Sequence, residues 1–138
     1  MWTITMNDTP EIREYIVETV RRAEKFLHVK QGTVFYDWDE FKKFLYSHGG
    51  TNRFSINRFS GIHWNDIKNE NNIVYFNLPK FKTMKRLNIS IVHEVLHYRV
   101  KRHSASFQLK VVDICNSLFD KERLYTTLDR FEGINRDV

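Results

Sequence analysis

The chain has 138 residues, of which 41% are hydrophobic and 28% are charged, and its formal net charge is +5. This length and composition are those of an ordinary globular protein, so we expect a single domain over residues 1–138 with a core of its own. The lone Cys115 excludes an internal disulfide and a cysteine-based zinc ribbon. Any metal must therefore be bound by histidines and carboxylates.

Membrane segments and secretion signals are not apparent in the sequence. No apolar stretch approaches the roughly 18 residues that a membrane-spanning helix needs. The opening residues, MWTITMNDTPEI, lack the charged and then apolar layout of a signal peptide. We therefore expect a cytoplasmic protein that has no membrane partner.

The first fifty residues predict a helix, a strand and a second helix. Thr9 is a good N-cap, and it precedes a proline and a run of apolar residues at helical spacing, which predicts a helix that ends before Gly32. The segment TVFYDW is β-branched and aromatic, as strands are. Apolar residues at helical spacing then favour a short helix that ends at Gly49.

Residues 53 to 78 have the pattern of an antiparallel meander. The segments RFSINRFS, GIHWNDI and NIVYFNL are separated by Gly61 and by the polar turn KNENN. The last of these three predicted strands is followed closely by the segment that contains the candidate functional residues.

That stretch is ISIVHEVLHYRVKRHSASF at residues 89–107, which contains an HExxH motif. Residues 87–96 are apolar on nearly every side of a helix, so we expect this helix to pass through the core. His93 and His97 are four residues apart, about 40° round the helix and about 6 Å along it, so their imidazoles can reach one point. Glu94 lies about 100° round from His93, beside a shared metal and not on it. This geometry predicts a zinc site at which Glu94 takes the proton of an attacking water.

The third ligand depends on what the chain does after the helix. His103 would lie about 15 Å along the axis from His93 if the helix simply continued, so the chain must turn back to bring it in. Ser104 is a good N-cap for a further helix, and it would fix a histidine placed just before it. A carboxylate from Asp113 or Glu122 is an alternative third ligand.

The segment HEVLHYRVKRHSASF resembles the HExxH, short gap, H-S/G-x-x-F/W pattern of SprT-like and YgjP-like zinc metallopeptidases. IVYFNLPKF resembles the edge strand and following loop of that family, and DKERLYTTLDRF its C-terminal helix. The resemblance implies a zincin-like domain that binds Zn2+ through His93, His97 and His103, with Glu94 as the general base and a polypeptide as substrate. The gap of five residues before His103 also equals that of metzincins, but Val100 stands where metzincins have glycine and no Met-turn is apparent.

Other polar residues have more ordinary interpretations. His28, His48 and His63 are isolated and are expected at the surface, with His48 at a helix C-terminus. Tyr98 could steady an oxyanion, but packing at the end of the helix is the favoured interpretation. Cys115 is expected to be a small core residue.

Together these patterns predict an α+β fold: an N-terminal helix, a small mainly antiparallel sheet, a central HExxH helix and C-terminal helices. The predicted function is that of a zinc metallopeptidase whose strand at residues 73–78 pairs with an extended peptide. The alternative is a non-catalytic, zinc-containing module that binds nucleic acid through basic residues. These are KFKTMKR together with Arg53 and Arg58, and the net charge of +5 suits them.

Overall fold

The computed structural model describes residues 9–50, 60–119 and 125. These residues form an α+β fold with four helices and a small mixed sheet, as the sequence predicts in outline. The elements, in chain order, are α1 (Pro10–Leu27), β1 (Thr33–Phe35), α2 (Trp38–Ser47), β2 (Gly61–Asp66), β3 (Asn71–Phe76), α3 (Met84–Leu96) and α4 (Ala105–Phe119). Short 3-10 turns follow β2 and β3.

Side-chain caps fix where the helices begin. The Thr9 hydroxyl accepts a hydrogen bond from the Ile12 amide at 3.2 Å, and Pro10 occupies the first turn of α1. The Ser104 hydroxyl accepts one from the Phe107 amide at 3.1 Å at the start of α4. Both predicted N-caps are confirmed, because each satisfies an amide that has no partner within its own helix.

The sheet has the strand order β1-β3-β2, so β3 lies at its centre. β2 pairs antiparallel with β3, as predicted, but β1 pairs parallel with β3. The prediction of a mainly antiparallel sheet is confirmed for β2 and β3, which pair over six residues, whereas the three-residue parallel pairing of β1 was not predicted. Parallel strands need a long crossover connection, because a hairpin can join antiparallel strands only. The connection from β1 to β3 includes α2 and β2, so it is long enough for the two strands to be parallel. The prediction that residues 73–78 pair with a peptide is wrong, because both edges of β3 are already hydrogen-bonded.

The two faces of the sheet bury two separate clusters. Ile73 and Tyr75 of β3 pack with α2, while Val74 and Phe76 point the other way into the main core. This alternation follows from the two-residue period of a strand. The main core also holds α3, whose residues 87 to 96 are all buried between the sheet, α1 and α4. The predicted buried HExxH helix is thus confirmed.

Two predicted elements lie outside the described residues. The segment RFSINRFS, with Arg53 and Arg58, falls almost wholly within residues 51–59. The predicted final helix, DKERLYTTLDRF, falls within residues 120–131, of which the structure describes Tyr125 alone. Among the described helices, none is both long and apolar enough to cross a membrane.

Candidate metal centre

Three imidazole rings meet at the C-terminal end of α3. The Nε2 atoms of His93 and His97 are 3.2 Å apart, those of His93 and His103 are 3.1 Å apart, and those of His97 and His103 are 2.8 Å apart. His93 and His97 are buried, whereas His103 is exposed. The structure thus brings together all three histidines that the sequence predicts as ligands.

The turn after α3 brings the third histidine back without a glycine. Residue 97 caps the helix, and the Arg99 and Val100 amides both donate to the Leu96 carbonyl at 3.0 Å. The Val100 carbonyl in turn lies 2.9 Å from Nδ1 of His97. These hydrogen bonds fix the turn against the end of α3. His103 then lies immediately before Ser104, the N-cap of α4.

The donor set fits a metal ion. Tetrahedral zinc with bonds of about 2.0–2.1 Å to nitrogen holds those nitrogens roughly 3.3 Å apart, close to the separations found here. The Val100 carbonyl can accept a hydrogen bond only from a protonated Nδ1 of His97, and in the neutral ring this leaves Nε2 with the lone pair that a metal requires. Three lone pairs aimed at one point would repel one another without a cation between them. These three residues could therefore hold a metal ion.

Burial keeps the three rings in the form that binds metal. It lowers the pKa of His97 to about 4, although the Val100 carbonyl opposes the change. It also lowers the pKa of His93 well below the ordinary value of 6.5, with help from the two neighbouring imidazoles, and lowers the pKa of His103. Each of these shifts favours the neutral imidazole, which is the form that binds metal.

Phe107 forms an apolar wall behind the three histidines. Its ring stacks on that of His97, with centroids 4.7 Å apart, and it meets the rings of His93 and His103 at 5.0 and 5.5 Å, both nearly edge-on. Only 2% of Phe107 is exposed. Phe107 is the aromatic residue of the predicted HSASF segment, and its packing explains why a large ring suits that position.

Glu94 is fully buried, one residue after the first histidine. Its carboxylate lies against Gly61 at the start of β2, where an added Cβ would stand 2.7 Å from Oε2 of Glu94 and 2.9 Å from the Ser90 hydroxyl. A side chain at position 61 would displace the carboxylate. The close approach of β2 to α3 therefore depends on glycine at this position.

An open cleft of about 280 Å3 lies beside the histidines. Its lining residues include His97, Lys101 and His103, together with His63 and Asn65 of β2. His63 stacks near His97 with centroids 5.9 Å apart, and its Nε2 lies 2.8 Å from Oδ1 of Asn72. The prediction that His63 is an isolated surface residue is wrong, because the pairing of β2 with β3 carries it to the site.

Tyr98 packs at the end of α3 as predicted, and a buried acid holds its hydroxyl. The hydroxyl donates to Oε2 of Glu24 at 2.9 Å, and the Gly32 amide donates to the same oxygen at 2.7 Å. Burial, with the nearby Glu24, raises the pKa of Tyr98. Glu24 of α1 is only 1% exposed, and its role was not predicted from the sequence. Its hydrogen-bond partner Tyr98 lies 74 residues away, and no local pattern links the two residues.

The other candidates fall outside the metal centre. Asp113 is exposed on α4 and does not belong to the histidine group, while Glu122 lies beyond the described residues. His48 caps α2, as predicted, and pairs with Asp66 at 2.7 Å. His28 is exposed at the end of α1, and Cys115 is buried in the core, both as expected.

Comparison of the chain with known protein families, with curated proteins and with solved structures finds no match. What the site offers is therefore its own chemistry. It combines three converging imidazole nitrogens, the buried carboxyl of the residue that follows His93 in sequence, and an open cleft beside the histidines.

Proposed function

We propose that this protein is a zinc-dependent metallopeptidase of the SprT-like and YgjP-like type. The convergence of three Nε2 atoms within 3.2 Å of one another carries the proposal, because it is the donor set of a catalytic zinc with one position left open. A metal held by these histidines would be reached by substrate from the cleft, since His97 and His103 form part of the cleft wall.

Each residue of the site has a distinct role in this proposal. His93, His97 and His103 would hold the metal through Nε2. Zinc, when bound there, supplies a Lewis acid that lowers the pKa of water to about 7 and polarises a carbonyl group. Glu94 accepts the proton of the attacking water on its carboxylate and then gives it to the leaving amine. Burial of Glu94 suits a group that must exchange a proton without competition from bulk water.

The peptide would lie along β2 and not along β3. Among the described residues β2 is hydrogen-bonded on one side, to β3, and its residues His63 and Asn65 line the cleft. An extended peptide could pair with the other side of β2 and present its carbonyl groups to the histidines. Lys101, which also lines the cleft, would favour substrates that carry acidic groups near the cleavage point.

The test is the substitution Glu94→Gln, measured by zinc content and by turnover of a denatured protein substrate. Glutamine has nearly the same size, so zinc should stay at one per chain. Hydrolysis should fall by about 10²–10⁴-fold, the usual contribution of a general base. Glu14→Gln makes the same chemical change at an exposed position of α1, and it should alter neither quantity.

Two results would contradict the proposal. If the purified protein takes up far less than one zinc per chain when zinc is supplied, the metal centre does not exist. If Glu94→Gln keeps both zinc and full hydrolysis, the activity belongs to another site or to a contaminant.

Exposed cations favour a second candidate function, a nucleic-acid-binding module in which the metal is structural. Lys101 and Arg102 are exposed immediately before His103, and Lys80 and Lys82 are exposed ahead of α3. Such a surface would bind DNA with an affinity that falls steeply as salt is raised. Titration of labelled duplex and single-stranded DNA between low and moderate salt tests it, and the absence of salt-sensitive binding would exclude this candidate.

A further inference from the structure

A second cavity, of about 350 Å3, lies where α2 begins and β3 ends. Its walls include three aromatic residues, Tyr36, Trp38 and Tyr75, and two acids, Asp37 and Asp39. None of the described residues that line it is basic. Trp38 and Tyr75 belong to the cluster on the α2 face of the sheet, so the cavity is separate from the metal centre.

The aromatic rings form a fixed corner. The rings of Trp38 and Tyr75 stand 5.4 Å apart at 65°, and Tyr75 is held from behind by Phe41, which stacks on it at 5.3 Å. Trp38 and Tyr36 are half-buried, so both keep surface that a ligand can reach. Tyr36 already attracts a cation within the chain, since the Arg13 guanidinium lies 4.8 Å from its ring centre.

The acids give the cavity a negative rim. Asp37 and Asp39 are both exposed, and Asp37 also caps α2 by accepting from the Glu40 amide at 3.0 Å. The charge of Asp37 reaches the floor of the cavity: burial raises the pKa of Tyr75 to about 12, and Asp37 adds to this effect. Aromatic rings and carboxylates both attract cations, and the cavity has both among its lining residues, although Arg13 already lies on the ring of Tyr36.

We propose that this cavity binds a methylated ammonium group, through the ring of Trp38 and the carboxylates of Asp37 and Asp39. Methylated ammonium suits it better than a primary ammonium, because it gives up less hydration when it enters an aromatic site. The group could belong to a free quaternary amine or to a trimethylated lysine of a protein. The proposal is independent of the metallopeptidase function.

The first experiment compares choline with 3,3-dimethylbutan-1-ol, which has the same shape and no charge. Binding is followed by the NMR shift of the Trp38 indole, assigned with Trp38→Phe. Choline should bind at least about tenfold more tightly than the neutral compound, because the charge supplies the attraction. Equal binding of the two compounds, or binding of neither, would overturn the proposal.

The second experiment removes the negative rim without removing the helix cap. The double variant Asp37→Asn and Asp39→Asn loses two charges, but asparagine is as good an N-cap as aspartate, so α2 should keep its start. Its dissociation constant for choline should rise about tenfold. The matched control, Glu14→Gln with Glu40→Gln, loses two exposed charges outside the cavity and should bind choline as the unaltered protein does. A tenfold loss in the control as well would show that overall charge, and not the cavity, attracts the cation, and would overturn the proposal.

A third comparison identifies the source of the group. A short peptide with trimethyllysine is titrated against the same peptide with unmodified lysine. Tighter binding of the methylated peptide than of choline assigns the site to a modified protein partner. Binding of choline alone assigns it to a free quaternary amine.

Discussion

The ring of Phe107 lies against the ring of His97, with their centroids 4.7 Å apart and their planes 30° apart. Phe107 belongs to α4 and His97 caps the C-terminus of α3, so this contact joins the two helices at the candidate metal centre. His103 lies on the turn between them. The positions of the three histidines therefore depend on how α4 packs against α3 as well as on α3 itself.

Phe107→Leu should weaken metal binding and also destabilise the fold. Leucine fills part of the space but cannot form the flat wall behind the rings, so metal affinity should fall about 10–100-fold, as it does when supporting residues of metal sites are changed. Affinity is measured by competition with a chelator, and stability by urea unfolding. Phe41→Leu, a matched change at a fully buried phenylalanine on the other face of the sheet, should cost stability alone. An equal loss of affinity in both variants would mean that general loosening, and not the wall, is responsible.

His97→Ala and His103→Ala should differ in their effect on the metal-free protein. His97 is 5% exposed, so its removal opens the core and should lower the free energy of unfolding by about 1–3 kcal/mol without metal. His103 is exposed, and its loss should leave metal-free stability nearly unchanged. Neither variant should gain in thermal stability when zinc is added, because both break the ligand set. His28→Asn, an exposed control in a backbone conformation that asparagine tolerates, should still respond to zinc. A clear zinc response in His103→Ala would remove that residue from the ligands.

Tyr98→Phe should reduce stability and leave turnover intact. The lost hydroxyl donates to the buried carboxylate of Glu24, and a buried acceptor that loses one donor costs about 1–3 kcal/mol. Because that hydroxyl is held by Glu24, it is not expected to assist the substrate carbonyl. The measurements are chemical unfolding and kcat on the same preparation. A fall in kcat of tenfold or more at full zinc content would instead assign Tyr98 to catalysis.

Gly61→Ala should impair hydrolysis while zinc stays bound. The new methyl group would stand 2.7 Å from Oε2 of Glu94, so the carboxylate must move, whereas the histidines need not. Overpacking of this kind costs about 1–3 kcal/mol. Gly49→Ala is the control: an added Cβ there meets nothing within 4 Å, and its positive φ of 85° costs backbone strain alone. Equal activity in the two variants would show that the position of Glu94 is unimportant.

Asp66 should make stability depend on pH in the acid range. Hydrogen bonds from Asn69 and His48 hold the pKa of Asp66 below its ordinary value of 3.8, against the effect of burial. Because the folded pKa is lowered, this stabilisation is present above pH 3.8 and is lost as the pH falls through the folded value. The difference in unfolding free energy between the protein and Asp66→Asn should therefore stay constant above about pH 5 and shrink as the pH falls below 3.8. A difference that does not change with pH would contradict this role.

The sequence by itself determined the local features of the candidate metal centre. A four-residue spacing on a helix places His93 and His97 one turn apart in any fold that keeps the helix, because the helical period is fixed. The apolar pattern of residues 87–96 likewise predicted a buried helix, and Ser104 predicted the start of α4. Each of these features depends on neighbours within a few residues, so no knowledge of the rest of the chain was needed.

The tertiary structure alone decided what distant segments bring together. The alternation of apolar and polar residues could not show that β3 is the central strand. Strand order depends on which strands pair after the chain has crossed over through α2. The register that pairs His63 with Val74 carried an apparently isolated histidine to the cleft. The bond from Tyr98 to Glu24 joins residues 74 apart. Such contacts form only once the helices have packed and bring distant residues together. The periods of a helix (3.6 residues) and of a strand (2 residues) reflect local burial alone, so they do not predict these contacts.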